Sequence, residues 1–263
     1  MEDVPLSQPA GWTALLLAGS RPGGDPFAIA NGVALKPLIR VAGEAMVRRP
    51  LRALLEVPGI ERVRVLAQEP EAIAAVIERD ARVSILPSGA TIAATIEAIL
   101  RDPATRFPLL VTTADHALLI PPMIAQFMAG AAGADLAIGL VERRKLAARL
   151  PQSQRTWIGF KGGSYSGANL FAFGSAEAVR AVALWRGVEQ DRKKGWRMLV
   201  VFGPALLLGA GLRLRTLDQS VAAIGRKLGL TIRAVEMTDP LAAVDVDKPS
   251  DLALVEAIIA GAA

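Results

Sequence analysis

The chain reads as a three-layer α/β/α fold built on a mostly parallel sheet, and three observations predict it. Short aliphatic runs alternate with helical patterns from Thr13 to Thr112. The first of them, Ala14-Leu15-Leu16-Leu17, is continuous rather than alternating apolar with polar, as a strand buried on both faces is. The 263 residues are 52% hydrophobic but only 5% aromatic, so Leu, Val, Ile and Ala must fill the core of one large domain.

The first strand is Thr13-Ala14-Leu15-Leu16-Leu17, which ends in Gly19. Val47, Leu51, Leu54 and Leu55 then recur at helical spacing. Val63-Arg64-Val65-Leu66 is the second strand, followed by a helix face of Ile73, Val76 and Ile77. Val83-Ser84-Ile85-Leu86 is the third, followed by Ile92, Ile96, Ile99 and Leu100 on one helix face. Leu109-Leu110-Val111-Thr112 closes the series. Such alternation implies right-handed βαβ crossovers, with helices on both faces of the sheet. Beyond about Val141 the regularity weakens. Glu142-Arg143-Arg144-Lys145, with Arg149 and Arg155, predicts a basic helix and loop. Ile158 to Phe173 holds two short strand-like runs around Gly162-Gly163. Arg186 to Leu228 forms a helical, basic C-terminal elaboration, Thr231 to Val235 a strand, and Leu252, Val255 and Ile259 the closing helix.

Composition excludes several classes. Without cysteine there is no disulfide, zinc–thiolate site or thiol nucleophile, which fits a reducing cytoplasm. The opening MEDVPLSQPAGW has no apolar h-region and reads as a tail rather than a secretory leader. Leu199 to Leu212 is apolar, but Gly203, Pro204, Gly209 and Gly211 break it, so it is too short to span a membrane. A formal charge of +5 suits anionic ligands. The few aromatics do not interleave with basic residues, which argues against a nucleic-acid partner.

Ligands of parallel sheets sit beyond the carboxyl ends of the strands. The loops after Leu17, Leu86 and Thr112 are therefore the informative ones. The first reads Leu17-Ala18-Gly19-Ser20-Arg21-Pro22-Gly23-Gly24. Glycine lets backbone N–H groups approach phosphate, and Arg21 adds a forked cation. The loop matches neither the Walker nor the dinucleotide fingerprint. After the third strand, Ser88, Gly89 and Thr91 open a helix, where Ser88 is the expected N-cap. Asp115 ends the last strand of the series, presenting a carboxylate where a hard cation would meet phosphate. His116 is the only histidine and reads as a local hydrogen-bonding group rather than a general base.

Leu35-Lys36-Pro37-Leu38-Ile39-Arg40-Val41-Ala42-Gly43-Glu44-Ala45-Met46 follows the first loop. With it, Leu15 to Leu54 resembles the N-terminal signature of the GT-A-like NTP transferases. That group includes sugar-1-phosphate nucleotidyltransferases and MobA-like guanylyltransferases. Two features depart from the pattern: the rearranged SRPGGDP loop, and Ala45 where proline is common. The resemblance implies a Rossmann-like, GT-A-like nucleotidyltransferase fold that transfers NMP from an NTP to a small phosphorylated acceptor and releases pyrophosphate. It implies Mg²⁺ held by Asp115 and by Asp247 of Val244-Asp245-Val246-Asp247-Lys248-Pro249, with Asp245 the alternative ligand. Lys36 would bind the triphosphate with Ala18, Gly19, Ser20 and Arg21, while Ser88, Gly89 and Thr91 would read base and ribose.

By the same resemblance Lys161, Ser166, Gly167 and Asn169 would bind the acceptor. Residues 12–140 then form a nucleotide-binding half and 141–263 an acceptor-binding half within one domain, with a helical insertion at about 186–228. Arg192, Lys193, Lys194, Arg197, Arg213 and Arg215 of that insertion suit a helix packed on the domain, a peripheral membrane contact, an acceptor lid or a homodimer contact. Two other functions compete: a GT-A glycosyltransferase consuming a nucleotide sugar, and a non-catalytic nucleotide sensor on a degenerate transferase fold. Lys36-Pro37 argues against the former, because it serves an NTP's pyrophosphate; the irregular first loop motivates the latter.

Overall fold

A computed structural model describes residues 11–19, 24–89, 91–153, 155–190 and 214–262. The first strand, β1 (Trp12–Leu17), leads through helix α1 (Pro26–Ala30) to a 3₁₀ turn at Lys36–Leu38 and a hairpin, β2 (Arg40–Val41) with β3 (Glu44–Ala45). Then come α2 (Arg48–Leu55), β4 (Ile60–Ala67), α3 (Pro70–Ala74), β5 (Val83–Pro87), α4 (Ile92–Arg101) and β6 (Leu109–Thr113). The second half comprises α5 (Pro121–Ala131), β7 (Leu136–Glu142), α6 (Arg143–Arg149), β8 (Ile158–Phe160), β9 (Gly163–Phe173) and α7 (Val179–Gln190). After residues 191–213 the described chain resumes with α8 (Leu217–Leu228), β10 (Ile232–Glu236) and α9 (Pro249–Ile259).

Among the described residues eight strands form one sheet in the order β10-β7-β9-β6-β1-β4-β5, with β8 paired to β9. The pairings β1–β4, β1–β6, β4–β5 and β7–β10 are parallel. Only β9 runs against its neighbours β6, β7 and β8. The aliphatic runs explain why the sheet is covered twice. Side chains alternate across a strand, so Ala14 and Leu16 enter one buried cluster while Leu15 enters the other. On the first face lie Leu51 and Leu54 of α2 with Ile124 and Phe127 of α5; on the second, Ile96 and Leu100 of α4 with Val182 of α7. Each fully buried Leu or Ile contributes about 1.5–3 kcal/mol by leaving water. The sheet is held by aliphatic side chains on both sides.

The β2–β3 hairpin within Leu35 to Met46 is an addition to the predicted elements. Its turn places Ala42 at φ 50° and Gly43 at φ 85°. The strand β7 is a second addition, and the helix expected over Ile73 to Ile77 ends at Ala74. Helix α8 opens with a capping box between Thr216 and Gln219 and stops at Gly229, φ 65°.

Candidate active site

The chain lays β4 and β5 outward on one side of β1, then crosses back to place β6 on the other. The loops leaving β1 and β6 therefore part in opposite directions and open a crevice at their carboxyl ends. A cleft of about 690 Å³ occupies that place. Gly19 borders it after β1, Gln68 after β4, Ser88 and Gly89 after β5, and Asp115 after β6. Lys36, Thr91 and Asp247 also line it, with Phe27, Met46, Leu66 and Ile92 among its apolar residues.

Lys36 starts the 3₁₀ turn, and buried Pro37 anchors it. The Pro37 carbonyl accepts from Val47 N–H at 3.1 Å and the Ile39 carbonyl from Met46 N–H at 2.8 Å, so the hairpin holds the turn at the cleft. Lys36 Nζ donates to Asp115 Oδ2 at 2.7 Å and to Asp247 Oδ1 at 2.5 Å. The Asp115 loop is tied to β1 by Ala114 N–H donating to Leu17 O at 2.9 Å, and Thr113 Oγ1 donates to Asp115 Oδ1 at 2.5 Å. Val246 N–H donates to Asp115 O at 3.0 Å, which sets the two acidic loops side by side. Asp247 N–H in turn donates to Asp251 Oδ2 at 3.1 Å. Burial works against the Lys36 charge, but Asp115 and Asp247 outweigh it and hold the ammonium pKa above the usual lysine range.

Asp247, not Asp245, meets Lys36. Asp245 instead pairs with Arg155 Nη1 and accepts from Asn169 Nδ2 at 3.1 Å. Two carboxylates gathered about one ammonium are close enough together to share a small hard cation. Among the described residues no group of three or more His, Cys, Asp or Glu side chains could hold a metal. Asp115 and Asp247 supply the one or two carboxylates by which Mg²⁺ is typically held, its other positions going to phosphate and water.

The other expected residues fall in distinct places. Ala18 is buried, and its N–H already donates to Leu66 O at 2.8 Å. A Cβ on Gly19 would come within 3.0 Å of Gln68 Nε2, so this glycine keeps space beside that amide. Ser20 and Arg21 lie outside the described residues. Thr91, rather than Ser88, caps α4, accepting from Ala94 N–H at 3.2 Å. A threonine set directly before the helix reaches that N–H, three residues on; Ser88 sits too early. Ser88 lines the cleft, and its Oγ is buried with no hydrogen-bond partner among the described residues. Gly89 N–H donates to Thr95 Oγ1 at 2.9 Å.

None of Lys161, Ser166, Gly167 and Asn169 lines this cleft. Lys161 borders a separate depression of about 380 Å³ with Glu142 and Arg144. Ser166 and Gly167 lie on β9 opposite Val141 and Leu140. Asn169, at φ 49°, is held by Asp245. His116 is 1% exposed, with Nδ1 3.4 Å from Thr112 Oγ1 and Nε2 unpartnered among the described residues. Burial pushes its pKa down to about 4. Such a ring is neutral at physiological pH and closed off from solvent. Gln68 escapes the sequence reading of the site, and Arg155 is read there only as part of a basic stretch. Gln68 had a signal, since it directly follows an aliphatic strand, at the carboxyl end where ligand loops emerge. Arg155 had none.

A family model, the MobA-like NTP transferase domain, matches residues 15–228. The chain belongs to the MobA-like NTP transferase family. A structure described as a hypothetical transferase from Thermus thermophilus is 27% identical, with a TM-score of 0.78 over 92% of this chain and 99% of that one. The 4-diphosphocytidyl-2C-methyl-D-erythritol synthase of Anaerococcus prevotii is similar in fold, at 9% identity and a TM-score of 0.60 over 95% of this chain and 96% of that one. So is a CMP:2-keto-3-deoxy-manno-octonic acid synthetase complexed with CTP, at 14% identity and 0.59 over 95% and 99%. No curated protein matches by sequence. The MobA-like domain and the shared transferase fold together make this chain a nucleotidyltransferase. No helix among the described residues is long and apolar enough to cross a membrane.

Proposed function

We propose that this MobA-like transferase uses Mg²⁺ to join the nucleoside monophosphate of an NTP to a small phosphorylated acceptor: a sugar phosphate, polyol phosphate or phosphoalcohol. The observation that carries the reading is the convergence of Lys36, Asp115 and Asp247 at the mouth of one cleft. An acceptor phosphate oxygen attacks the α-phosphorus, the bond to the β-phosphate oxygen breaks, and pyrophosphate leaves. An ionised phosphate needs no base, which suits a site whose only histidine is buried and neutral. Asp115 and Asp247 would hold Mg²⁺, which supplies Lewis-acid polarisation of the α-phosphate. Lys36 balances charge on the departing pyrophosphate, acting by position and electrostatics rather than by a covalent intermediate. Gly19, with Ser20 and Arg21 after it, accommodates the phosphates. Ser88, Gly89 and Thr91 border the base and ribose, where the Ser88 hydroxyl, unpartnered among the described residues, supports a polar ligand.

On this reading residues 12–140 serve the nucleotide and 141–263 the acceptor, with Lys161, Ser166, Gly167 and Asn169 on the acceptor side. A cytoplasmic site of action, with peripheral membrane or homodimer contact through about 186–228, completes the proposal. The basic residues named for it from 192 to 213 lie outside the described residues. The test is a screen of the four NTPs against phosphorylated acceptors, scored by mass spectrometry for a nucleoside-diphosphate-linked product. A product appearing only with an NTP and a divalent cation supports the reading. Consumption of a nucleotide sugar, with sugar transferred instead, rejects it.

A further inference from the structure

The segment Asp245 to Asp247 is pinned from several directions, and the strongest grip comes from a residue remote in sequence. Arg155 Nη1 pairs with the Asp245 carboxylate while Nη2 donates to the Asp245 backbone carbonyl at 3.2 Å. Its side chain is only 12% exposed. Asn169 Nδ2 donates to the second Asp245 oxygen, so both oxygens of that carboxylate are engaged. The residues on either side of Asp245, Val244 and Val246, are completely buried. One residue on, Val246 N–H reaches Asp115 O. A two-point guanidinium grip on residue 245 therefore fixes the register that brings residue 247 beside Asp115.

We infer that Arg155 is a positioning residue for the cation site, acting through Asp245 to hold Asp247 against Asp115. The inference rests on the reading that Asp115 and Asp247 hold a divalent cation. Its sign separates it from simple electrostatics. Arg155 lies close enough to Asp115, Asp247 and Asp251 for its charge to be felt by them. Removing a positive charge near two carboxylates should tighten cation binding by Coulomb's law. Loosening the Asp247 segment should weaken it.

The experiment is a Mn²⁺ titration of the nucleotide-free full chain, followed by electron paramagnetic resonance of the free ion. Variants are Arg155→Met, Arg155→Lys, Asp245→Asn, Asp115→Asn and Asp247→Asn, each checked for a cooperative thermal transition. Arg155→Met is expected to bind Mn²⁺ at least fivefold more weakly than wild type despite its lost charge. Arg155→Lys keeps the charge but not the fork, and should also bind more weakly. In the Asp247→Asn background Arg155→Met should cause no further loss, because its effect passes through Asp247. Should Arg155→Met not fold, Arg155→Lys and Asp245→Asn carry the same expectation. Equal or tighter binding by the folded Arg155 variants, while Asp247→Asn weakens it, overturns the positioning role alone. Binding that Asp115→Asn and Asp247→Asn leave unchanged, or no binding at all, overturns the cation site itself.

Discussion

Replacing Lys36 with methionine keeps most of the side-chain volume and removes the ammonium that two carboxylates share. Breaking a buried ion pair costs about 3–5 kcal/mol, because the abandoned charge is left without a partner. Here the carboxylates are not sealed off: the Asp115 side chain is 21% exposed and that of Asp247 is 55% exposed. Water can solvate them, so the expected loss falls to about 1–2 kcal/mol. At about 2–4 °C per kcal/mol for a chain of this size, that is a drop in Tm of a few degrees. The remaining pair of repelling carboxylates should take up a divalent cation more readily than the wild type does. Saturating Mg²⁺ at 100 times its Kd adds about 2.7 kcal/mol of stability. Thermal melting with and without MgCl₂ reads both effects, with Lys248→Met, on the exposed neighbouring turn, as the control. Lys36→Met should melt lower in chelator, recover with Mg²⁺, and lose turnover by about 10²–10³-fold. A variant that melts like the wild type and gains no more from Mg²⁺ refutes the shared-cation geometry.

Two further outcomes follow from buried polar atoms. Ser88→Ala removes a hydroxyl that has no partner among the described residues, so the ligand-free protein should be as stable or slightly more stable. If that hydroxyl meets the nucleotide, affinity should fall by about 1 kcal/mol, read by nucleotide titration. His116 titrates near 6.5 when unfolded and about 4 when folded. Between those values the unfolded chain holds the extra proton, so the contribution is whole above pH 6.5 and lost as pH falls toward 4. It amounts to about 3 kcal/mol. Urea unfolding of metal-free protein at pH 7 and pH 4.5 measures it, and His116→Phe should lose that part of the pH dependence.

The parallel half of the sheet is legible in the sequence because β1 and β6 are buried along most of their length and carry the aliphatic runs Ala14 to Leu17 and Leu109 to Val111, while β4 ends in the apolar Val65-Leu66-Ala67. The strand β7 is harder to see. Gly139 interrupts it, and its pairing with β9 slips in register between Ile138 and Leu140. The β2–β3 hairpin is only two residues a side, too short for any periodicity. At the site, Asp115 is visible because it ends a buried strand, and Lys36 and Asp247 because their neighbours match a family signature. Lys36 lies 79 positions from Asp115 and 211 from Asp247, so only the fold could bring them within bonding distance. Arg155 and Asp245 are 90 positions apart, and an ion pair of that span leaves no local trace. The capping role of Thr91 was readable from its place before Ile92, but Ser88 is an equally good cap by type. Asn169 takes a left-handed backbone that its residue type allows and does not demand.

The most direct measurement is the initial rate of pyrophosphate release, at saturating NTP and acceptor, for wild type, Asp115→Asn and Asp247→Asn. Release by the wild type should vanish on chelation and return with Mg²⁺. Both asparagine variants should fall by about 10³-fold or more while unfolding at the wild-type temperature within a few degrees. Wild-type rates in either folded variant would contradict the account.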